Sequence, residues 1–325
     1  MRALLLLLLA APLLAHASYA GRPEVQDFVR DLAKRHGIAE GELKRVFAKA
    51  QRLEPVLEAI ARPAERVRTW EDYRALLITE RRIREGVEFW RKFPRTLERA
   101  EQKYGVAPEY VVAIIGVETF YGRNTGSWRV VDALTTLAFD YPPRAGFFRS
   151  ELEQYLLMAR EAGIDVFSVR GSYAGAIGIP QFMPSSARRY AVDFDRNGKI
   201  DLQRSRSDAI GSVANFLKVH GWQRDADVAV QARVAGEAWR PFMNGRFEPR
   251  HSMTELREAG IEFDSPQPAG ANGVLIELAN ADRPSDYRVG LRNFYVITRY
   301  NRSALYAAAV AELAQELRKA YDLGR

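Results

Sequence analysis

The sequence predicts a mainly α-helical protein of the α+β kind, with one small β-containing unit towards its C-terminal end. Three observations carry that expectation. Apolar residues recur at helical spacing from Gly21 to His220, the pattern changes to short β-branched runs after Trp222, and helical spacing returns from Asn293. The 325 residues suffice for two or three compact units around a sizeable core. They divide into a leader over 1–20, an N-terminal helical domain over 21–100, a helical core over 101–222, a small β-containing domain over 223–290, and a C-terminal helix over 291–325 that completes the helical part.

The leader is the first element. Met1-Arg2 opens with positive charge, Ala3 to Ala15 is unbroken apolar sequence containing Leu4 to Leu9, and Ala15-His16-Ala17 and Ser18-Tyr19-Ala20 are small-x-small cleavage sites. This is the pattern of a secretory signal peptide, with Ala20-Gly21 as the expected cut. The apolar run falls short of the roughly 20 residues that span a bilayer. The chain has no Cys, so an exported product has neither disulfides nor a thiol-linked lipid anchor. The expected location is the periplasm, as a soluble protein.

The helical elements follow in order. Val25, Phe28, Val29 and Leu32 share a face that ends at Gly37, and Leu43, Val46, Phe47 and Ala50 form a second. One longer stripe runs through Tyr73, Leu76, Ile83, Val87 and Trp90 to Pro94, and a short helix through Leu97, Ala100 and Tyr104 stops at Gly105. Pro108 opens the next helix, with Gly122 as its expected terminator. Further helices are expected over 130–139, 147–161, 184–191 and 208–220. Strands are expected over 228–234, 273–278 and 286–290, with a short helix between them marked by the capping box Ser252-x-x-Glu255. A Pro- and Gly-rich loop lies near 266–273, and the last helix runs over about 303–321.

Glu118 stands out because it occupies an apolar stripe. It follows Val111 by seven residues, Ile114 by four and Ile115 by three, so it shares their helix face. Burial and the negative end of the helix dipole both disfavour its ionised form and raise its pKa. A carboxylic acid that keeps its proton near neutrality is what a glycosidic leaving oxygen requires. A structural ion pair with an Arg is the alternative.

Two loops carry further chemistry. The segment from Gly171 to Pro184 is rich in glycine, which lets backbone approach a ligand closely, and it lacks the Lys of a phosphate loop. Ser172 and Gln181 suit sugar hydroxyls or an acetamido group, and Tyr173 and Phe182 suit sugar faces. A tight turn that packs helices is the alternative. The segment Asp193-Phe-Asp195-Arg-Asn197-Gly198-Lys199-Ile200-Asp201 matches the first nine positions of an EF-hand loop. Arg204 stands where the bidentate Glu belongs, and Asp208 is the next carboxylate. A longer loop ending at Asp208, with the Lys199 carbonyl, makes a hard-oxygen shell for a structural Ca2+; an Asx-rich turn is the alternative.

Other classes are excluded. The four His residues have no ligand spacing, which excludes zinc. The net charge of +7 is scattered and no aromatic residues interleave with a basic stripe, which excludes nucleic acid. Tyr300, Asn301 and Tyr306, at the start of the last helix, combine aromatic and amide groups suited to sugars; packing of helical aromatics in the core is the more common alternative.

In chain order, Ile-Ile-Gly-Val-Glu-Thr-Phe-Tyr-Gly, Gly-Ser-Tyr-Ala-Gly-Ala-Ile-Gly-Ile-Pro-Gln-Phe-Met-Pro-Ser-Ser, Asp-Ala-Ile-Gly-Ser-Val-Ala-Asn-Phe and Tyr-Asn-Arg-Ser-Ala-Leu-Tyr-Ala resemble the membrane-bound lytic murein transglycosylase B family, from about Gln26 to Leu313. The resemblance implies a goose-type-lysozyme-like helical core, a helical flanking domain, a small β domain and a calcium loop. It implies Glu118 as catalytic acid/base, and Tyr73, Arg144, Ser172, Gln181, Tyr300, Asn301 and Tyr306 as glycan-cleft residues. It implies Asp193, Asp195, Asn197, Lys199 and Asp208 as the calcium shell, and no organic cofactor. The implied partners are peptidoglycan glycan strands and proteins of cell-wall synthesis or remodelling. Three features depart from the family pattern: Phe216 stands where a cleft Tyr occurs, the metal loop is one residue longer before Asp208, and the lipobox Cys is absent.

The activity so implied cleaves the β-1,4 bond between N-acetylmuramic acid and N-acetylglucosamine and leaves 1,6-anhydromuramic acid ends. Two rivals remain at this point. A hydrolytic muramidase needs a second carboxylate about 5–9.5 Å from the first, for which Asp132 and Glu151 are candidates by proximity in sequence. A non-catalytic, calcium-stabilised wall-binding protein needs neither.

Overall fold

The computed structural model describes residues 18–62, 69–264, 268 and 270–324. Most of the leader therefore lies outside the described residues, as does part of the loop near 266–273.

Chain order begins with α1 (Pro23–His36), α2 (Glu40–Lys49) and α3 (Glu54–Ala61). The first two stop at Gly37 and Ala50 much as their apolar faces predict. The third was not expected, although Leu53, Val56, Leu57 and Ile60 carry its spacing and Pro55 sits in its first turn. The expected single stripe from Tyr73 to Trp90 is two helices, α4 (Trp70–Leu77) and α5 (Glu80–Lys92). The break has a local cause: Thr79 takes the N-cap position and its hydroxyl accepts the Arg82 amide, which starts a new helix. Leu76, read as part of the buried stripe, is 51% exposed.

Next come α6 (Pro94–Tyr104) and α7 (Pro108–Thr119), the central helix. All six residues from Val111 to Gly116 are buried, and α7 packs against α5, α6, α11 (Arg206–Val219) and α14 (Ala304–Leu323). Burying each of its Val and Ile side chains contributes ~1.5–3 kcal/mol. The expected end at Gly122 is three residues late. Phe120 and Tyr121 both adopt left-handed backbone (φ 51° and 62°) and close the helix at Thr119. That turn drives the Tyr121 ring over Gly116, where a Cβ would lie 2.7 Å from the Tyr121 hydroxyl, and lets the hydroxyl donate to the Arg82 carbonyl at 2.8 Å.

Strand β1 (Trp128–Arg129) leads into α8 (Val130–Asp140) and α9 (Ala145–Glu161), and pairs with β2 (Arg170–Gly171). Helices α1 to α3 pack on α8 and α9 in one hydrophobic cluster, whereas α4 to α7, α11, α13 (Arg292–Tyr300) and α14 share another. Helix α10 (Pro184–Tyr190) bridges α9 and α11.

The β unit is an antiparallel sheet in the order β4 (His251–Ser252), β6 (Asn272–Leu278), β7 (Asp286–Gly290), β3 (Ala229–Val234), β5 (Ile261–Glu262). Strand β6 is buried on both faces. Val274, Ile276 and Leu278 join the helical core, and Leu275 packs with Val230, Val289 and Leu256 of α12 (Met253–Glu258). This two-sided burial explains its apolar run Val274-Leu275-Ile276, which ends at the exposed Glu277. The Ser252–Glu255 capping box forms as expected.

Tyr19 belongs to the folded body. It is 2% exposed, and its hydroxyl donates to Asp140 at 2.5 Å, while Arg22 binds the same carboxylate at 2.6 Å. A chain beginning at Ser18 is expected to exceed one beginning at Gly21 by ~3–5 kcal/mol in urea denaturation, the scale of losing a buried aromatic side chain. Equal midpoints for the two chains would show that Tyr19 does not contribute to the core.

Candidate active site

Glu118 sits in the last turn of α7, on the face that the apolar spacing predicts. Its side chain is half-buried: protein atoms surround the carboxyl on most sides, and a residual opening reaches solvent. Burial pushes its pKa up to about 7, and a hydrogen bond from the Tyr306 hydroxyl to Oε1 at 2.6 Å opposes part of that rise. No Lys or Arg among the described residues pairs with Glu118, so the expected alternative of a structural ion pair is not what the fold builds. Tyr306 bonds Oε1, and no described residue bonds Oε2.

Tyr306 is placed by its helix cap. Ser303 is the N-cap of α14, and its hydroxyl accepts the Tyr306 amide at 3.2 Å. Burial and the neighbouring Glu118 hold the Tyr306 hydroxyl well above the usual phenol range, so it remains a neutral donor. Tyr300 stacks on it, with ring centroids 6.5 Å apart and planes at 13°, and donates to the Pro180 carbonyl at 2.5 Å. Tyr73, half-buried on α4, lies close enough to Tyr306 to influence its ionisation. Ser303 was read only as a helix start; Ser three residues before a site Tyr is the signal that marks it as a positioning residue.

The glycine-rich loop folds back on itself through Ile177–Phe182 and Ser172–Ala176 backbone pairs. Ser172 accepts the Ala176 amide at 3.0 Å, and Gln181, at φ 51°, donates its amide to the carbonyls of Gly178 (2.7 Å) and Thr125 (3.2 Å). These bonds anchor both side chains within the loop whose Pro180 carbonyl holds Tyr300. Tyr173 is 42% exposed, whereas Phe182 is 2% exposed and packs on Tyr300 and Phe216. Phe182 is therefore core, and the expectation that it stacks on sugar does not hold. Phe216 fills the space between Tyr300 (4.8 Å) and His220 (4.1 Å).

Thr119 ties this loop to α7. Its hydroxyl donates to the Ile179 carbonyl at 2.9 Å and accepts the Gly122 amide at 3.0 Å. Asn301 is exposed at the end of α13, and its carbonyl accepts the Ser303 amide at 2.7 Å. Arg144 stands on the short turn Pro142–Arg144, exposed, with its guanidinium 4.4 Å over the Phe147 ring and no hydrogen bond or ion pair to Glu118.

The two candidate second carboxylates are both occupied. Asp132 accepts the Gln51 amide at 3.0 Å and Arg129 at 2.5 Å. Glu151 accepts the Ser185 amide at 2.9 Å and hydroxyl at 2.7 Å, at the start of α10.

Asp193, Asp195 and Asp208 offer carboxylate oxygens within 4.8 Å of one another. Asp208 is wholly buried; it accepts the amides of Phe194 and Asp201, both at 2.8 Å. Asp193 accepts the Gly198 amide at 2.8 Å, and the Asn197 side chain accepts the Lys199 amide at 2.9 Å. Three converging carboxylates and a side-chain amide oxygen are hard donors that fit Ca2+.

A mainly helical body with a small sheet, and one half-buried carboxyl bonded by a tyrosine at the end of its central helix, defines a protein of the lysozyme-like fold class. Residues 20–315 match the family described as the transglycosylase SLT domain, and the chain belongs to that family. It is similar to the membrane-bound lytic murein transglycosylase B of Escherichia coli, at 42% identity over 308 residues, covering 91% of this chain and 83% of that one. Among solved structures it is similar to the soluble lytic transglycosylase SltB1 of Pseudomonas aeruginosa, at 48% identity and TM-score 0.87, covering 92% of this chain and 100% of that one. It is also similar to the Escherichia coli lytic transglycosylase Slt35 in complex with calcium, at 42% identity and TM-score 0.84, covering 94% and 95%.

The raised pKa has a consequence for stability. Glu118 titrates near 7 when folded and near the usual 4.5 when unfolded, so the folded state binds the extra proton between those values. Stability from this group is intact below about 4.5 and is lost as pH rises to about 7. Glu118→Gln, which keeps an acceptor for Tyr306, is expected to gain in melting temperature over the wild type across that window and to hold the gain above it. Parallel melting-temperature curves from pH 4 to 8 would contradict the burial argument.

Proposed function

We propose that this protein is a lytic transglycosylase that cleaves peptidoglycan glycan strands between N-acetylmuramic acid and N-acetylglucosamine, with Glu118 acting as acid and then as base. The observation that carries this reading is the solitary carboxyl kept near pKa 7 while Asp132 and Glu151 are both held in structural hydrogen bonds. Glu118 protonates the glycosidic oxygen as the C1–O bond breaks, and an oxocarbenium-like centre forms at the muramoyl C1. The muramoyl acetamido group stabilises it, so no second carboxylate is required. The Glu118 carboxylate then takes the proton of the muramoyl C6 hydroxyl as that oxygen bonds to C1. The product is a 1,6-anhydro ring, and water is not consumed.

Tyr306 supports the base half of the cycle, because its hydrogen bond stabilises the carboxylate that the first step leaves. Ser172, Gln181, Tyr300, Asn301 and Tyr73 are the residues we assign to holding the glycan, with Arg144 at a more distant position on the same strand. The basic net charge of +7 suits a polymer that carries carboxylates.

We read the protein as exported to the periplasm, with its leader cut after Ala17, since a cut at Ala20 removes the buried Tyr19. No helix among the described residues is long and apolar enough to cross a membrane. Asp193, Asp195, Asn197, Lys199 and Asp208 are assigned to a structural Ca2+, which would neutralise three crowded carboxylates. Calcium is expected to raise the melting temperature, as a ligand of the folded state alone, and Asp193→Ala to remove most of that gain. Identical melting curves in calcium and in chelator would rule the site out.

The activity reading is tested by digesting sacculi in ¹⁸O-water. Unlabelled anhydromuramoyl ends, lighter by one water than reducing ends, are expected. Glu118→Gln is expected to lose at least about 10²-fold in rate, the scale of a general acid–base residue. Labelled reducing ends would mean hydrolysis, and full turnover by the variant would remove Glu118 from the mechanism.

A further inference from the structure

A second concave site lies on the other hydrophobic cluster. Helix α2, the end of α9 and the following loop enclose a groove of about 280 Å³, built entirely from elements that do not carry Glu118. Its floor is apolar: Leu43 and Val46 from α2, Leu156 and Ala159 from α9, and Val166 and Phe167 from the loop. Ile164 at its mouth is 38% exposed.

The rim is basic. Arg45 and Lys49 project from successive turns of α2, Arg160 comes from α9, and Glu42 is the single acid. None of these three cations forms an ion pair with a described residue. Of the neighbouring acids, Glu40 is engaged by Lys44 at 2.7 Å and Glu161 by Arg188 at 2.5 Å, and the Asp165 carboxylate accepts the Phe167 amide at 3.0 Å, so with Glu42 the three cations still outnumber the two acids that hold no cation. An apolar floor under unneutralised cations calls for an apolar group flanked by anions.

Shape and chemistry select among such groups. The α2 face from Glu42 to Lys49 is ~10 Å long, the length of about three extended residues. That is too short for a long acyl chain. Sugar is disfavoured as well, because the floor offers one aromatic ring and no amide or hydroxyl side chain. We propose that this groove docks a short acidic segment of a partner protein. One large apolar side chain of that segment sits against Val46, Leu156 and Phe167, and carboxylates on either side of it meet Arg45, Lys49 and Arg160. The arrangement tethers the partner without covering Glu118.

The test uses the peptide Ac-Glu-Leu-Glu-NH2 and methyl NMR of the full-length mature protein. Saturable shifts are expected at Val46, Leu156 and Val166, weakening with added salt. Ac-Gln-Leu-Gln-NH2 and Ac-Glu-Ala-Glu-NH2 are each expected to bind at least about fivefold more weakly, as is the acidic peptide to a Lys49→Glu, Arg160→Glu double variant. Both substituted positions are exposed, so the variant is expected to keep the wild-type melting temperature and its activity on sacculi. Equal binding of the three peptides, or shifts confined to residues around Tyr306, overturns the proposal. So does a groove that ignores all three peptides and responds to phosphatidylglycerol vesicles or to soluble muropeptides. The peptide comparison stands on the wild type alone, should the variant fail to fold.

Discussion

The hydrogen bond between Tyr306 and Glu118 is the contact around which the helical body is arranged. It joins the last turn of α7 to the first turn of α14, two helices packed along one another, across a sequence separation of 188 residues. Two opposing effects meet at it. Burial disfavours the charged carboxyl, and the phenol favours it; burial is the larger, which leaves the pKa near 7 instead of near 4.5. A carboxyl left fully solvated would be ionised at neutral pH and unable to donate. One buried with several donors would also be ionised. A single neutral donor leaves the group able to exist in both forms.

Keeping a carboxyl there requires the surrounding chain to stop α7 at a fixed place. The helix is apolar all round, and nothing in its own sequence ends it at Thr119. The left-handed pair Phe120–Tyr121 does so, at the cost of strain that non-glycine residues rarely adopt. Tyr121 offsets that strain by inserting its ring beside Gly116 and bonding the Arg82 carbonyl. Sequence spacing located Glu118 on the correct face but extended the helix to Gly122, because glycine is the usual terminator and the ring's destination lies on α5, which spacing cannot see.

The same distinction separates what was legible in the sequence from what was not. Helix and strand positions came through where apolar period and caps agree, as at Gly105, Pro108 and Ser252. The single stripe over Tyr73 to Trp90 failed because two helices with compatible phase look continuous until the Thr79 cap is noticed. Phe182 looked like a ligand ring because aromatics in a glycine-rich loop suit sugars; its burial depends on Phe216 and Tyr300, both more than thirty residues away. Glu118 was legible because an acid on an apolar stripe contradicts the pattern around it. Ser303 carries no such contradiction, since caps are ordinary helical residues, and Tyr306 stood out only as an aromatic near Asn301 and through the family resemblance.

The acidic loop and the candidate active site are joined by a short path of backbone. Asp208 gathers the amides of Phe194 and Asp201, which fixes the loop up to Leu202. The Leu202 carbonyl accepts the Ile179 amide at 2.8 Å, and the Ile179 carbonyl accepts the Thr119 hydroxyl at 2.9 Å. Thr119 is the residue after Glu118. Gly178 makes this approach feasible: at φ 68° its Cβ position lies 2.3 Å from the Leu202 carbonyl, where no side chain fits. The glycine-rich loop is thereby clamped between the acidic loop and the end of α7. Its Ser172 and Gln181 side chains have fixed positions because both neighbours hold the backbone. The buried Asp208 thus organises the acidic loop and, through Leu202 and Ile179, the turn that carries Glu118. A single wholly buried carboxylate, satisfied by amides, is a framework for a second carboxyl that must remain only partly satisfied.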